Sequence, residues 1–157
     1  MTAGSTAERL GRLLPELPAT LAAFLVAVVV EVGLRVTTLP RLASLLGVPL
    51  ASGEPSGEPE TMSGKQLAGL PATARRQVRA TRRVLNCWPF GDTCLRQALV
   101  SGNRLRRLAP SLHIGVAKIE GEIRAHAWLV VSGRVLDPLR AASSYQDLSV
   151  PGRENQK

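Results

Sequence analysis

Residues 124–139 read RAHAWLVVSGRVLDPL, and how that stretch is read decides the fold. Arg124 to Val131 follows an alternating pattern, Ser132-Gly133 is a two-residue turn signal, and Arg134 to Asp137 resumes as a strand that Pro138 ends. With Ser132 and Gly133 as the two loop residues, Val131 lies opposite Arg134, Trp128 opposite Asp137 and His126 opposite Leu139. Because side chains alternate along a strand, His126, Trp128, Asp137 and Leu139 share one face. His126 and Asp137 are then diagonal neighbours, roughly 7–8 Å apart at the backbone, which an imidazole and a carboxylate can bridge. A bulged three-residue loop would break this parity, so the pair depends on the turn.

Upstream, Leu112, Ile114 and Val116 also alternate, and Glu120-Gly121-Glu122 is a turn, so a three-stranded antiparallel meander is expected. It follows GDTCLRQALVSGNRLRRLAP (91–110), in which Leu95, Ala98, Leu99, Gly102, Leu105 and Leu108 recur at helical spacing. Asp92 or Thr93 caps this helix and Pro110 closes it, which puts Cys94 in the first turn. Leu70, Ala74, Val78, Thr81 and Leu85, with arginines between, predict an amphipathic helix from Pro71 to about Leu85. Residues 19–36 predict a helix apolar on most faces and therefore buried. After Pro40, residues 41–48 predict a second, short helix. The expected organisation is an apolar helical segment over 1–50, a flexible linker over 51–64 marked by the tandem SGEP, a core over 65–150 and a polar tail over 151–157. Helices followed by strands make an α+β layout, helices packed on a small antiparallel sheet with an N-terminal helical segment.

A chain of 157 residues, 45% hydrophobic, is one globular domain. Two cysteines and two histidines are too few for a disulfide scaffold, a zinc ribbon or a metal cluster, so no metal or cofactor is expected. The longest apolar run, Leu21 to Val30, is half of the roughly twenty residues a membrane span requires. Arg9 and Arg12 precede it as in a signal peptide, but Pro15 and Pro18 intervene and no clean small-x-small cleavage site follows. The expectation is a buried helix in a cytoplasmic protein with free thiols. The net charge of +8 raises nucleic acid as a partner, yet the charge is concentrated in Arg75–Arg83 and Arg104–Arg107. With 3% aromatic residues there is no stacking platform for single strands. A solvated helix face, or a basic surface for an acidic peptide or protein, fits better.

A thiol in the first turn of a helix meets the positive end of the helix dipole and unpaired backbone N–H groups, which favour a nucleophilic thiolate and supply oxyanion donors. Asp92, two residues away, opposes that effect. Together with the hairpin, the chain offers Cys94 as nucleophile, His126 as base and Asp137 as the group that orients the imidazole. The plain alternative is a core histidine satisfied by a nearby aspartate, with a buried cysteine elsewhere. Cys87 is the competing nucleophile, but it sits at the end of a helix, where the dipole disfavours thiolate. His113, on the first strand, reads as structural, and Trp128 as a lid over the His–Asp pair or a core residue.

The stretches 91–110, LHIGVAK (112–118) and 124–139 closely resemble the leader peptidase of lasso-peptide biosynthesis, a transglutaminase-like, papain-related cysteine protease. The carrying motifs are Cys-Leu-Arg at 94–96, Ile-Gly-Val at 114–116, Ala-His-Ala-Trp at 125–128 and Gly-Arg-x-Leu-Asp at 133–137. The resemblance implies removal of the leader from a ribosomally made precursor peptide, before a separate ATP-dependent cyclase closes the macrolactam. It assigns Cys94, His126 and Asp137 to the catalytic triad. By analogy with papain-related enzymes, Trp88 is a candidate oxyanion donor beside Cys94, although packing is the simpler role for it. Some relatives carry an extra winged-helix-like recognition domain, for which the first fifty residues are too short and too apolar. The expected partners are therefore a precursor peptide, a separate leader-recognition protein and the cyclase. A transglutaminase-like acyltransferase or amidase, or a non-catalytic peptide-binding scaffold, are the competing functions.

Overall fold

The computed structural model describes residues 17–51, 70–137 and 145–147. Four helices, α1 (Leu17–Val36), α2 (Leu39–Leu45), α3 (Ala72–Asn86) and α4 (Cys94–Arg104), precede a short 3-10 turn at Arg106–Leu108. Four strands follow: β1 (Ser111–Ile119), β2 (Glu122–Val131), β3 (Arg134–Leu136) and β4 (Gln146–Asp147). The sheet order is β3-β2-β1-β4, and β1 pairs antiparallel with β2 and β4, as β2 does with β3. This is the α+β architecture expected, with one strand more than the meander. β4 is two residues long, too short to leave a periodic signal.

Both central hairpins close through two residues in the left-handed region. Glu120 and Gly121 have φ of 52° and 87°, and Ser132 and Gly133 have φ of 52° and 76°. Turns with two positive φ values match the right-handed twist of the flanking strands, which is why Ser-Gly and Glu-Gly suffice without a longer loop. The first turn is therefore Glu120-Gly121, with Glu122 already paired to Ile119. The second fixes Val131 opposite Arg134 and Leu129 opposite Leu136, the register expected from the sequence. The Leu139 side of that register lies outside the described residues.

Alternation along β2 gives the sheet two buried faces. Ala127, Leu129 and Val131, with Leu136 and Leu112, join one core cluster with the helices. Trp128 and Val135, backed by Val130 and Tyr145, form a second cluster on the other face. In the first cluster Leu85, Leu99, Leu105, Leu112 and Leu129 are fully buried, each worth about 2 kcal/mol of transfer free energy.

The helix boundaries depart from expectation at Pro40, which lies in the first turn of α2 after the extended N-cap Thr38. Proline has no N–H to lose there, so it starts the helix instead of separating two. α1 also differs from the buried helix expected. Its small residues Ala19, Ala23, Ala27 and Gly33, with Val30 and Glu31, face inward, and α1 shares the main core with α3 and α4. Leu17, Leu21, Leu25, Val29, Val32 and Val36 on the other side are more than half exposed. Among the described residues it is the one helix long and apolar enough to cross a membrane, and one side of it is packed against protein. The segment 52–69, which holds most of the expected linker, and the tail lie outside the described residues.

Close packing of α4 on the sheet is set at Gly102. A Cβ there would stand 2.6 and 2.7 Å from the Val48 methyls and 3.2 Å from Leu129 Cδ2. Gly102→Ala should therefore lower the thermal midpoint in circular dichroism. The overpacking cost of about 1–3 kcal/mol outweighs the gain of about 1 kcal/mol in helix propensity.

Candidate active site

The register of β2 and β3 places His126 and Asp137 side by side. Both are buried, and His126 Nε2 lies 3.0 Å from Asp137 Oδ1. The approach is close but off the line of a good N–H···O hydrogen bond. Asp137 occupies the Nε2 side of the ring, so the nitrogen left for a thiol is Nδ1. The ring is held between aromatic neighbours: Trp128 stacks at 6.0 Å and 26°, and Tyr145 tilts over it at 5.1 Å and 38°. His113 stacks on Trp128 at 5.9 Å, and its Nε2 lies 3.1 Å from Ser111 Oγ. Trp128 thus packs both histidines on one buried face. Tyr145, positioned beside the start of β4, is a site neighbour that sequence reasoning missed; a lone tyrosine in an aperiodic segment gives no signal.

Cys94 is the first residue of α4, behind the N-cap Thr93. Thr93 Oγ1 accepts from Arg96 N at 3.4 Å, and its carbonyl from Gln97 N at 3.0 Å. The N–H groups of Cys94 and Leu95 precede the first intrahelical donor and are the ones left to face a substrate oxygen. Asp92, the other candidate cap, accepts instead from Gln97 Nε2 at 2.7 Å. The thiol is half-buried and packs against the helical core. α4 packs on β2, where Gly102 meets Leu129, while His126 lies on the Trp128 face of that strand. The structure brings His126 and Asp137 together; it shows no hydrogen bond from Cys94 to the imidazole. Cys87 is exposed at the end of α3, in an apolar cleft of about 420 Å³ with Leu17, Leu21, Phe24 and Trp88.

A second polar centre ties the start of α4 to α1. Arg96 Nε and a terminal nitrogen donate to the two oxygens of Glu31 at 2.8 and 3.4 Å, and Arg35 reaches the same carboxylate at 2.8 Å. The Arg96 hydrogen bond holds the Glu31 carboxyl below the ordinary carboxylate range. Burial opposes this, while the charge of Arg96, the Trp88 indole and Arg35 add to it. Trp88 packs edge-on between Phe24 and Phe90. Its N–H is buried without an aligned partner, near enough to favour the Glu31 carboxylate. The candidate oxyanion donor thus lies within influence of Glu31. A lone acid inside an apolar helix was the signal for this contact.

With this geometry described, comparison with known proteins adds the family. Residues 25–150 match the transglutaminase-like superfamily, and the chain belongs to it. Members of this superfamily are typically cysteine-protease-like. No curated protein and no solved structure matches the chain.

Because Glu31 is depressed in the folded protein, its contribution is complete above the ordinary carboxylate range and is lost as pH falls through the lowered value. Glu31→Gln should melt below wild type at neutral pH, and the gap should close on acidification, read as thermal midpoints from pH 7 downward.

Proposed function

We propose that the protein is a cysteine peptidase that removes the leader from a ribosomally synthesised lasso-peptide precursor. The observation that carries the chemistry is the buried His126–Asp137 pair at 3.0 Å, on a strand packed against the helix that begins at Cys94. Superfamily membership supports the reaction class, and the motifs at 94–96, 114–116, 125–128 and 133–137 support the substrate.

In this reading His126 Nδ1 takes the Cys94 proton, the thiolate attacks the scissile carbonyl, and the N–H groups at the start of α4 receive the developing oxyanion. His126 then protonates the leaving amine. The resulting thioester is hydrolysed by water that His126 deprotonates, which restores the thiol. Asp137 holds the ring so that Nδ1 faces the thiol, and Trp128 and Tyr145 keep water from the ion pair. His126 lies on the Trp128 face of β2 and α4 packs on the Leu129 face, so the thiol–imidazole contact is the one that must form when substrate binds. A separate leader-recognition protein delivers the peptide, and the cyclase acts afterwards, in the cytoplasm.

An acyltransferase or amidase would use the same groups with an amine in place of water. A non-catalytic scaffold would leave the thiol unactivated. Iodoacetamide should alkylate Cys94 faster than free cysteine at neutral pH, and His126→Ala should remove that advantage; unchanged reactivity would favour the scaffold.

Mass spectrometry of a precursor peptide encoded beside this protein, incubated with the protein and the recognition partner, tests the function directly. Wild type should release the leader. Cys94→Ala should release none, and His126→Ala should be slower by a factor on the order of a thousand. Intact peptide in every reaction with folded protein would overturn the peptidase reading.

A further inference from the structure

A concavity lies at the opposite end of α4 from Cys94. It is a cleft of about 700 Å³ between α1, the start of α3 and the segment Arg104–Leu108. One wall is aliphatic: Leu25 and Val26 of α1 face Leu105 and Leu108. The other carries Arg104, Arg106 and Arg107, and no carboxylate lines the cleft among the described residues. Arg104 Nε is buried without a hydrogen-bond partner. Burial lowers the Arg104 pKa, and the charge of Arg106 adds to the effect, the mark of cations gathered without a counterion among the described residues. A guanidinium nitrogen buried without a partner is costly, and an entering carboxylate would recover that cost through charge-assisted, bidentate hydrogen bonds. The aliphatic wall asks for apolar groups beside the anion, which a bare phosphate lacks. Gln77, on the rim, offers an amide to a peptide backbone.

We propose that this cleft is an exosite for the peptide substrate, taking an acidic side chain flanked by aliphatic ones. The identification of the occupant as substrate rests on the peptidase reading; the recognition chemistry does not. α4 has eleven residues, about 16 Å at 1.5 Å per residue, so a bound peptide needs about five extended residues to run from the cleft to Cys94. The contact therefore selects on sequence remote from the scissile bond.

Fluorescence anisotropy tests this with a fluorescein-labelled peptide of two glutamates set among leucines, on Cys94→Ala protein so that nothing is cut. The peptide should bind, and its glutamine counterpart should bind at least about tenfold more weakly. Arg104→Gln with Arg106→Gln should cost a similar factor, whereas Arg82→Gln, on the exposed face of α3, should not. If the double variant fails to fold by circular dichroism, Leu25→Glu, an exposed position, should repel the peptide instead. Equal binding by the variants, equal binding of the glutamine peptide, or displacement by inorganic phosphate at the peptide's own concentration would overturn the proposal. A peptide bound as expected while wild type cuts no precursor would sink the peptidase reading and leave the exosite standing. Precursor cleavage without peptide binding would do the reverse.

Discussion

The register of the β2–β3 hairpin is the constraint on which the candidate site depends. Ser132 and Gly133 both take positive φ, which closes the turn in two residues and sets the strands in phase. A slip of one residue would turn Asp137 to the helical core and bring Leu136 against His126, since strand side chains alternate with a period of two. The same phase gives each face its own packing: leucine and valine against the helices, and histidine and aromatic rings on the other side. Turn chemistry and burial thus specify the same register, and neither could change alone.

Glu31 and Arg96 impose a second constraint, between elements far apart in the chain. The pair spans sixty-five positions and fixes the first turn of α4 against α1. A carboxylate this buried is tolerable because it is shared between two guanidiniums and lies near an indole N–H; breaking one partner would leave the other charge stranded. The consequence is that α1 belongs to the same folded unit as the helix bearing Cys94, and the superfamily match beginning at residue 25 agrees with that.

Charge is distributed unevenly over this unit. Glu31 is the single acidic residue of α1 and is consumed by Arg96 and Arg35, while Arg104, Arg106 and Arg107 at the far end of α4 line a cleft with no carboxylate among the described residues. The helix therefore carries Cys94 at its N-terminal end and a cluster of arginines near its C-terminal end.

Much of this was readable from residue order. The α4 helix with a cap at Asp92 or Thr93, the strand pairing, the Ser-Gly turn and the His126–Asp137 neighbourhood follow from spacing alone, because hairpin and helix periodicities are local and fixed by backbone geometry. Other features required the tertiary structure, because they join residues with no periodic relation. The Glu31 ion pair, the Tyr145 ring over His126, the edge strand β4 and the exposed side of α1 are of this kind. Composition makes α1 apolar all round, but only the positions of α3 and α4 decide which stripe is covered. Residue order thus sets the local elements, and long-range packing sets which of their faces meet, since burial depends on contacts made between distant parts of the chain.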